Sequence, residues 1–214
     1  MLEGPEGAGK TTQIKRLTER LSRDGIECLA VREPGGTPVG DAIREILLDP
    51  EREITDATEA LLFMASRAEL TAREIRPSLE SGAVVLLDRF FLSTYAYQVA
   101  GRGLPEEEIR AANRLATGAL VPDLTLLLDI PVSEGLARAD ARGDRDRMEK
   151  SAPDFHDRVG AAFRKFADKG WQASHPECGP ITLIDGTGDE NEIFSRITAV
   201  LGKVFPKHFA GLRS

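Results

Sequence analysis

The sequence has few cysteines and few aromatic residues. Its 214 residues contain two cysteines, one tryptophan and two tyrosines, and aromatic residues make up 6% of the chain. Cys28 and Cys178 are not spaced as metal ligands, so we interpret both as reduced thiols rather than as part of a metal site or a disulfide. The three histidines are scattered, and we assign them no chemistry.

Excess positive charge and long apolar runs are also missing. The net charge is −7 and the pI about 5.2, which excludes a general basic field for binding nucleic acid or an anionic membrane. No apolar run is long enough to span a bilayer. We expect no signal peptide, because a glycine-rich loop begins at Gly4. The expected location is the cytoplasm, with no nucleic-acid or membrane partner.

What the sequence does have is a phosphate-loop motif. Residues 4–11 read Gly-Pro-Glu-Gly-Ala-Gly-Lys-Thr, which is glycine, four residues, glycine, lysine and threonine. The glycines let backbone N–H groups turn inward around phosphate oxygens. Lys10 reaches the β- and γ-phosphates, Thr11 can ligate Mg²⁺, and a helix beginning at Lys10 adds a favourable dipole. The predicted ATP contacts are Gly4, Pro5, Glu6, Gly7, Ala8, Gly9, Lys10, Thr11 and Thr12.

Apolar runs alternate with helical patterns along the chain. Runs at 28–31, 83–87, 124–128 and 181–184 are short, rich in Val, Leu and Ile, and without polar alternation, which is typical of parallel strands covered on both faces. Only three residues precede Gly4, so we expect either an unusually short first strand or a natural start upstream of Met1. The predicted helices are about 11–23, 38–48, 56–80, 92–100, 105–117, 133–141, 154–175 and 190–204, with a kink at Pro77.

Polar residues follow the predicted strands. In open α/β sheets, ligands bind beyond the carboxyl ends of the strands, so Glu33, Asp88 and Arg89 should face the phosphate loop. Asp88 suits the Mg²⁺ shell, and the fork of Arg89 suits a substrate phosphate. The alternatives are a surface carboxylate at Glu33 and an ordinary strand-end ion pair at Asp88 and Arg89.

A helical pair and a following polar stretch could form a base pocket. Phe63 and Arg67 are four residues apart and share a helix face, so they could stack a base and hold a phosphate. The alternative is a core phenylalanine and a solvated arginine. Residues 93–98 concentrate hydroxyl, aromatic and amide groups, and Gln98 can donate and accept at once.

Residues 138–149 are dense in arginine and interleaved with acids. One interpretation is a solvated, charged helix end. In a phosphate-loop kinase, such a segment is instead a mobile lid that brings guanidinium groups over the transferred phosphoryl group. We predict one domain over residues 1–205, with a lid at about 138–150 and a tail at 206–214.

Together these motifs resemble the thymidylate kinase family, whose members phosphorylate dTMP with ATP. The similarity runs from residue 2 to about residue 204. It rests on 3–13 (Glu-Gly-Pro-Glu-Gly-Ala-Gly-Lys-Thr-Thr-Gln), 32–36 (Arg-Glu-Pro-Gly-Gly), 62–67 (Leu-Phe-Met-Ala-Ser-Arg), 88–90 (Asp-Arg-Phe), 93–98 (Ser-Thr-Tyr-Ala-Tyr-Gln), 142–143 (Arg-Gly) and 146–149 (Asp-Arg-Met-Glu).

The resemblance implies a P-loop nucleoside monophosphate kinase fold, with a parallel five-stranded sheet flanked by helices, and a homodimer. It also implies roles for individual residues. Phe63 would stack on thymine, and Arg67 and Gln98 would bond its edge. The remaining implied substrate contacts are Arg44 and Arg89 on the dTMP phosphate, Thr94 in the base pocket, Tyr97 near the sugar, and Glu33 and Glu6 near sugar, phosphate and metal. Thr187 would lie on the adenine side.

Gly7 stands where some thymidylate kinases have an arginine, so the lid is expected to supply the compensating charge. Arg142 is the first choice, Arg138 lies on the same helical face, and Arg147 would pack on the adenine side. The implied catalytic residues are Lys10, Arg142, Arg138, Arg89 and Glu6, and the implied metal ligands are Thr11 and Asp88.

The implied reaction converts ATP and dTMP to ADP and dTDP, for dTTP synthesis. One alternative is another P-loop nucleoside monophosphate kinase. The other, from a different class, is a nucleotide-binding switch, which the lack of an Asn-Lys-x-Asp segment disfavours.

Overall fold

The computed structural model describes residues 1–141, 143 and 146–209. Five strands form one sheet in the order β2-β3-β1-β4-β5, and all neighbouring pairs are parallel. This confirms the predicted α/β fold. The strands are β1 Leu2–Glu3, β2 Cys28–Arg32, β3 Val84–Asp88, β4 Thr125–Asp129 and β5 Ile181–Asp185.

Helices pack against the sheet. They are α1 Lys10–Arg23, α2 Pro38–Leu48, α3 Asp56–Leu70, α4 Arg76–Glu80, α5 Phe91–Thr94, α6 Glu106–Thr117, α7 Val132–Asp140, α8 Pro153–Phe166, α9 Lys169–Ser174, α10 Glu190–Val204 and α11 Pro206–Phe209. Two π-helical turns, Thr71–Ile75 and Tyr95–Gly101, continue α3 and α5. No helix of the described ranges is long and apolar enough to cross a membrane.

Two predicted helices differ in detail from the structure. Instead of one helix over 154–175, the chain forms α8 and α9, because the Asp168 side chain accepts the Trp171 N–H at 3.0 Å and starts a new helix. Pro77 does not end its helix. The π-helical turn immediately before Pro77 widens the helix. This makes room for the proline ring, which would otherwise collide with a backbone carbonyl of the preceding turn.

The sheet separates two apolar layers. Leu126 and Leu128 of β4 belong to the layer formed with α1 and α10, whereas Leu127 belongs to the layer formed with α5 and α8. Successive strand residues point to opposite faces, so a strand buried on both sides is apolar throughout. This is the physical reason that the predicted strands lack polar alternation.

The shortest strand occupies the centre. Leu2 pairs with Asp88 of β3 and Leu126 of β4, and Glu3 pairs with Leu127. Both β1 residues are buried. The loop that follows β1 therefore leaves the sheet at its carboxyl edge, between β3 and β4.

Candidate active site

A cavity of about 850 Å³ opens at the carboxyl edge of the sheet. It brings together the phosphate loop, the ends of β2 and β3, the α3 face, the π-helical turn after α5, and α7. The predicted site residues that line it are Glu6, Gly7, Ala8, Gly9, Lys10, Thr11, Thr12, Glu33, Arg44, Phe63, Arg67, Asp88, Arg89, Thr94, Tyr97, Gln98 and Arg138. Gly4 and Pro5 lie behind this wall, in the same loop.

The phosphate loop packs against the rest of the protein through its backbone. Gly4 has φ 143° and Gly7 has φ 69°, which side-chain-bearing residues rarely adopt. A Cβ on Gly4 would collide with the carbonyl oxygen of Leu128, and a Cβ on Gly7 would collide with that of Gly135 in α7. The loop is thus held against β4 and α7, and an arginine at position 7 would not fit this packing.

Lys10 lies buried inside the loop. Its Nζ donates to the carbonyl oxygens of Gly4 at 3.0 Å and Pro5 at 2.8 Å. Burial, and secondarily the charge of Arg89, lowers the pKa of Lys10 to about 8. The ammonium group is therefore costly to hold here, and an anion in the loop would compensate it.

Thr11 and Asp88 meet beside the loop. The Thr11 hydroxyl donates to Asp88 Oδ2 at 2.5 Å. Both supply hard oxygen atoms, which suit Mg²⁺ held partly by phosphate and water. Among residues 1–141, 143 and 146–209, no three His, Cys, Asp or Glu side chains cluster as a metal cage. The two oxygen donors thus fit a Mg²⁺ that accompanies a nucleotide.

Arg89 is aimed into the cavity by an unusual backbone. Its φ of 72° is rare for a residue with a side chain, and such strain is typical of functional sites. The guanidinium pairs with Glu6, donates to Ser93 Oγ at 3.0 Å, and stands over the Tyr97 ring at 5.3 Å. Burial is the largest single influence and would lower the pKa of Arg89, but Glu6, Tyr97, Asp88 and Glu3 together outweigh it and raise that pKa. A permanent cation therefore faces the phosphate loop.

Glu3 supports this turn, and sequence reasoning gave it no role. It is fully buried, and its Oε1 accepts the backbone N–H of Phe90 at 2.6 Å and of Ser93 at 3.2 Å. Its Oε2 accepts the Ser93 hydroxyl at 2.6 Å. The sequence did contain a signal for such a role, because Glu3 is a carboxylate within a predicted strand of a buried sheet.

Arg67 is held more tightly than predicted. It is 1% exposed, and all five of its N–H donors are engaged. They bind Glu33, the Thr94 hydroxyl, the Asn113 amide oxygen and the Phe90 carbonyl oxygen. In this arrangement Arg67 would have to exchange one of these bonds to reach a base edge. Asn113 is a further residue that sequence reasoning missed.

Glu33 is the charge partner of Arg67 rather than a free group at the cavity wall. Its Oε2 accepts the Arg67 Nε at 2.8 Å. Burial raises the pKa of Glu33, and the Arg67 charge and hydrogen bond act in the opposite direction. Arg44, nearby, donates to the Pro34 carbonyl oxygen at 2.9 Å and lines the cavity.

The lid arginines occupy different places. Arg138 of α7 lines the cavity and pairs with Glu134 at 2.6 Å. Arg147 lies 2.7 Å from Glu59 and donates to the Leu47 carbonyl oxygen at 2.8 Å. These contacts hold Arg147 against α2 and α3, and an adenine-side role for it stays a prediction. Arg142 lies outside the described residues.

The turn after β5 was the other predicted adenine-side feature. The Thr187 hydroxyl and N–H both bind the Asp185 carboxylate, at 2.7 and 2.9 Å. Thr187 itself is not part of the cavity wall, whereas its neighbours Gly188 and Asp189 are. The turn therefore borders the cavity, and a role for Thr187 stays a prediction.

A glycine cradle with a buried lysine, a Thr–Asp pair and cavity-facing arginines on a parallel sheet define a P-loop kinase of the nucleoside monophosphate type. The family model described as thymidylate kinase matches residues 2–175. The chain belongs to the thymidylate kinase family.

Individual relatives agree with this assignment. The chain is 56% identical over 163 residues to a thymidylate kinase of Pseudomonas fluorescens, covering 76% of this chain and 78% of that protein. It is 45% identical over 202 residues to a thymidylate kinase of Deinococcus radiodurans, covering 94% and 95%. A thymidylate kinase of a Synechococcus strain is 46% identical over 212 residues, covering 98% and 97%.

Proposed function

We propose that this protein transfers the γ-phosphoryl group of ATP to dTMP, giving ADP and dTDP for dTTP synthesis. The observation that carries the proposal is one continuous cavity with a phosphate loop at one end and Phe63 and Gln98 at the other. The names of the relatives support the choice of substrate. Neither alternative from the sequence has a comparable observation in its favour.

The transfer forms a bond between a dTMP phosphate oxygen and the γ-phosphorus while the bond to the ADP oxygen breaks. The attacking oxygen is already anionic, so no strong general base is required. Catalysis then consists of positioning and of neutralising charge on the transferred group. Lys10 and the loop N–H groups would hold the ATP phosphates, and Arg89 and Arg44 would hold the dTMP phosphate. Arg138 and Arg142 would approach the transferred group.

Thr11 and Asp88 would hold a Mg²⁺ ion that accompanies ATP. When bound, the ion would neutralise part of the phosphate charge. The Thr11 hydroxyl keeps the Asp88 carboxylate turned toward the loop. Glu6, engaged with Arg89 and with the Tyr97 hydroxyl at 3.2 Å, would orient both of these groups beside the dTMP sugar and phosphate.

The base pocket would use Phe63 for stacking, Gln98 for the base edge and Thr94 as part of its wall. Arg67 would shape the pocket through its bonds to Thr94 and Phe90, and reach the base only by releasing one of its present partners. We also propose a cytoplasmic location, where Cys28 and Cys178 would remain the free thiols that the structure has.

A homodimer is part of the proposal. Helices α2, α3 and α6 pack side by side and expose Val39, Leu61 and Leu115, the last at 86%. Exposed apolar residues on helices that pack against one another suit an isologous interface. Light scattering should give a dimer for the wild-type protein and a monomer for Leu115→Glu. If Leu115→Glu is still a dimer, α6 is not part of the interface.

The decisive experiment is a coupled ADP-release assay across the nucleoside monophosphates, with dTMP, dUMP, dCMP, dGMP and dAMP as acceptors and ATP as donor. We expect dTMP to have the highest kcat/KM and ADP release to be slow when no acceptor is present. Equal rates with several acceptors would contradict dTMP specificity, and rapid ADP release without any acceptor would contradict a kinase.

A further inference from the structure

Glu59 is a buried carboxylate that has appeared so far only as the partner of Arg147. It lies in the first turn of α3, and its side chain is 0% exposed. It does not line the cavity, but it binds directly to Gln98, which does. Phe63, the proposed stacking residue, follows one helical turn later on the same face.

Both oxygens of Glu59 accept hydrogen bonds. Oε1 accepts from Gln98 Nε2 at 2.9 Å and from Arg102 Nε at 3.1 Å. Oε2 accepts from Arg102 Nη2 at 3.0 Å and lies 2.7 Å from Arg147 Nη2. Two guanidinium groups from different segments thus converge on one carboxylate.

This convergence keeps Glu59 ionised. Burial acts to raise the pKa of Glu59, but the hydrogen bonds from Arg102, Gln98 and Arg147 outweigh it and lower that pKa. An ionised carboxylate accepts hydrogen bonds and donates none. Gln98 must therefore turn its NH₂ group toward Glu59, as the 2.9 Å bond shows, and its amide oxygen Oε1 away from Glu59. Because Gln98 lines the cavity and its NH₂ group is engaged, we infer that Oε1 is the atom it offers to a base.

The orientation of this amide has a consequence for the base. Thymine carries a hydrogen-bond donor at N3, whereas the N3 of cytosine is an acceptor. An amide oxygen in the pocket can pair with thymine N3–H, but it meets cytosine N3 as one acceptor facing another. A site discriminates strongly against a substrate analogue that leaves one of its buried polar groups facing an unsuitable partner.

We propose that Glu59 is a positioning residue that fixes the amide orientation of Gln98 and so makes the acceptor pocket select thymine against cytosine. This inference rests on the proposed dTMP kinase function. Glu59 does not touch the base and acts only through Gln98.

The primary test is Glu59→Gln. The new side chain has nearly the same shape but can donate as well as accept, so it no longer dictates the orientation of Gln98. The measurement is the ratio of kcat/KM for dTMP to kcat/KM for dCMP, taken on the same preparation so that the fraction of active protein cancels. We expect the ratio to fall at least about tenfold, mainly through the KM for dTMP, while the KM for ATP changes less than about twofold.

Two further variants separate positioning from a general effect. In a Gln98→Met background, Glu59→Gln should change the ratio less than about twofold, because the residue through which Glu59 acts is gone. Asp56→Asn is the matched control. Asp56 lies in the same helical turn, 3.5 Å from the same Arg102, and it is more than half exposed. It should leave the ratio unchanged.

A wild-type measurement covers the case in which Glu59→Gln fails to fold because two arginines lose their partner. The side-chain NH₂ resonances of Gln98, assigned in NMR spectra by their loss in Gln98→Met, should shift little when dTMP binds, because that NH₂ group stays on Glu59. A large shift would mean that the NH₂ group faces the base, and it would overturn the proposal.

The proposal would also be overturned if a folded Glu59→Gln variant kept the wild-type ratio of kcat/KM for dTMP to that for dCMP. It would be overturned as well if Glu59→Gln lowered this ratio equally in the wild-type and Gln98→Met backgrounds. If the wild-type protein does not phosphorylate dTMP at all, the proposed function fails instead, so the two failures are distinguishable.

Discussion

The two ends of the active-site cavity are built in different ways. The phosphate loop is one contiguous stretch, residues 4–11, which presents backbone groups and packs backbone against backbone through Gly4 and Gly7. The acceptor end is assembled from side chains that lie far apart in the sequence. Arg67 binds Glu33 across 34 residues, Gln98 binds Glu59 across 39, and Ser93 binds Glu3 across 90.

This difference affects how each end responds to mutation. The phosphate loop depends on its backbone conformation and on the charge of Lys10. Its ability to hold phosphate should therefore change when a glycine is replaced or when that lysine is removed. Each charge of a buried ion pair carries a desolvation cost that its partner offsets. The loss of one member therefore leaves the other as an uncompensated buried charge. We therefore expect the loss of a buried charge partner at the acceptor end to act mainly on folding stability, and the loss of the loop cation to act mainly on catalysis.

The largest expected effect on stability comes from breaking the Glu33–Arg67 pair. Glu33→Ala leaves the buried guanidinium of Arg67 without its charge partner, and the free energy of unfolding should fall by about 3–5 kcal/mol. Urea denaturation measures this. The control is Asp49→Ala, which breaks the more exposed pair with Arg52 and should lower the free energy of unfolding far less, because water screens that pair. Equal losses in the two variants would contradict the comparison.

Lys10→Ala tests the loop end. It removes the cation inside the loop, so kcat should fall by at least about 10²–10³, the range for the loss of one electrostatic donor. Circular dichroism should show an intact fold, because the hydrogen bonds of the Lys10 side chain, within the described part of the chain, stay inside its own loop. A kcat within a few-fold of wild type would remove Lys10 from the catalytic groups.

The same lysine should destabilise the protein when no nucleotide is bound. A fall in pKa from 10.5 to about 8 corresponds to about 3 kcal/mol of unfavourable free energy. Between these two values the unfolded chain binds more protons than the folded one, so the stability of the wild type should rise as pH increases from 8 to 10.5. Lys10→Met removes the group, and its stability advantage at pH 7 should shrink toward pH 10.

Urea denaturation of both proteins at pH 7 and pH 9.5 measures this effect. Lys15→Met, at an exposed position of the same helix, is the control and should change stability by less than about 0.5 kcal/mol at either pH. A stability difference between Lys10→Met and wild type that does not vary with pH would show that the burial of the ammonium group carries no cost.

The smallest expected effect is on substrate affinity. Phe63 lies on the cavity wall and is half-buried. Phe63→Ala should weaken dTMP binding by about 1–3 kcal/mol, the cost of losing one stacked aromatic face, and leave the KM for ATP almost unchanged. If the two constants rise together, Phe63 supports the core and not the base.

Much of this molecule could be predicted from the sequence, because the relevant signals are local. The phosphate loop is a contiguous motif, and four strands appear as apolar runs bounded by turns. The strand-end rule places Asp88 beside Thr11, as the structure has it. Helices α2 and α10 begin and end where the patterns predict, since proline or a capping aspartate marks the start of each.

The tertiary structure alone decided which partners the buried charges have. In a sequence, Glu59 and Arg147 are indistinguishable from solvated charges, because nothing local shows that water is excluded from them. Burial makes a partner obligatory, and the partner comes from whichever segment the fold brings within about 3 Å. That is why the loop and its lysine followed from the amino-acid order, whereas the full engagement of Arg67, the position of Arg147 and the orientation of Gln98 required the packed chain.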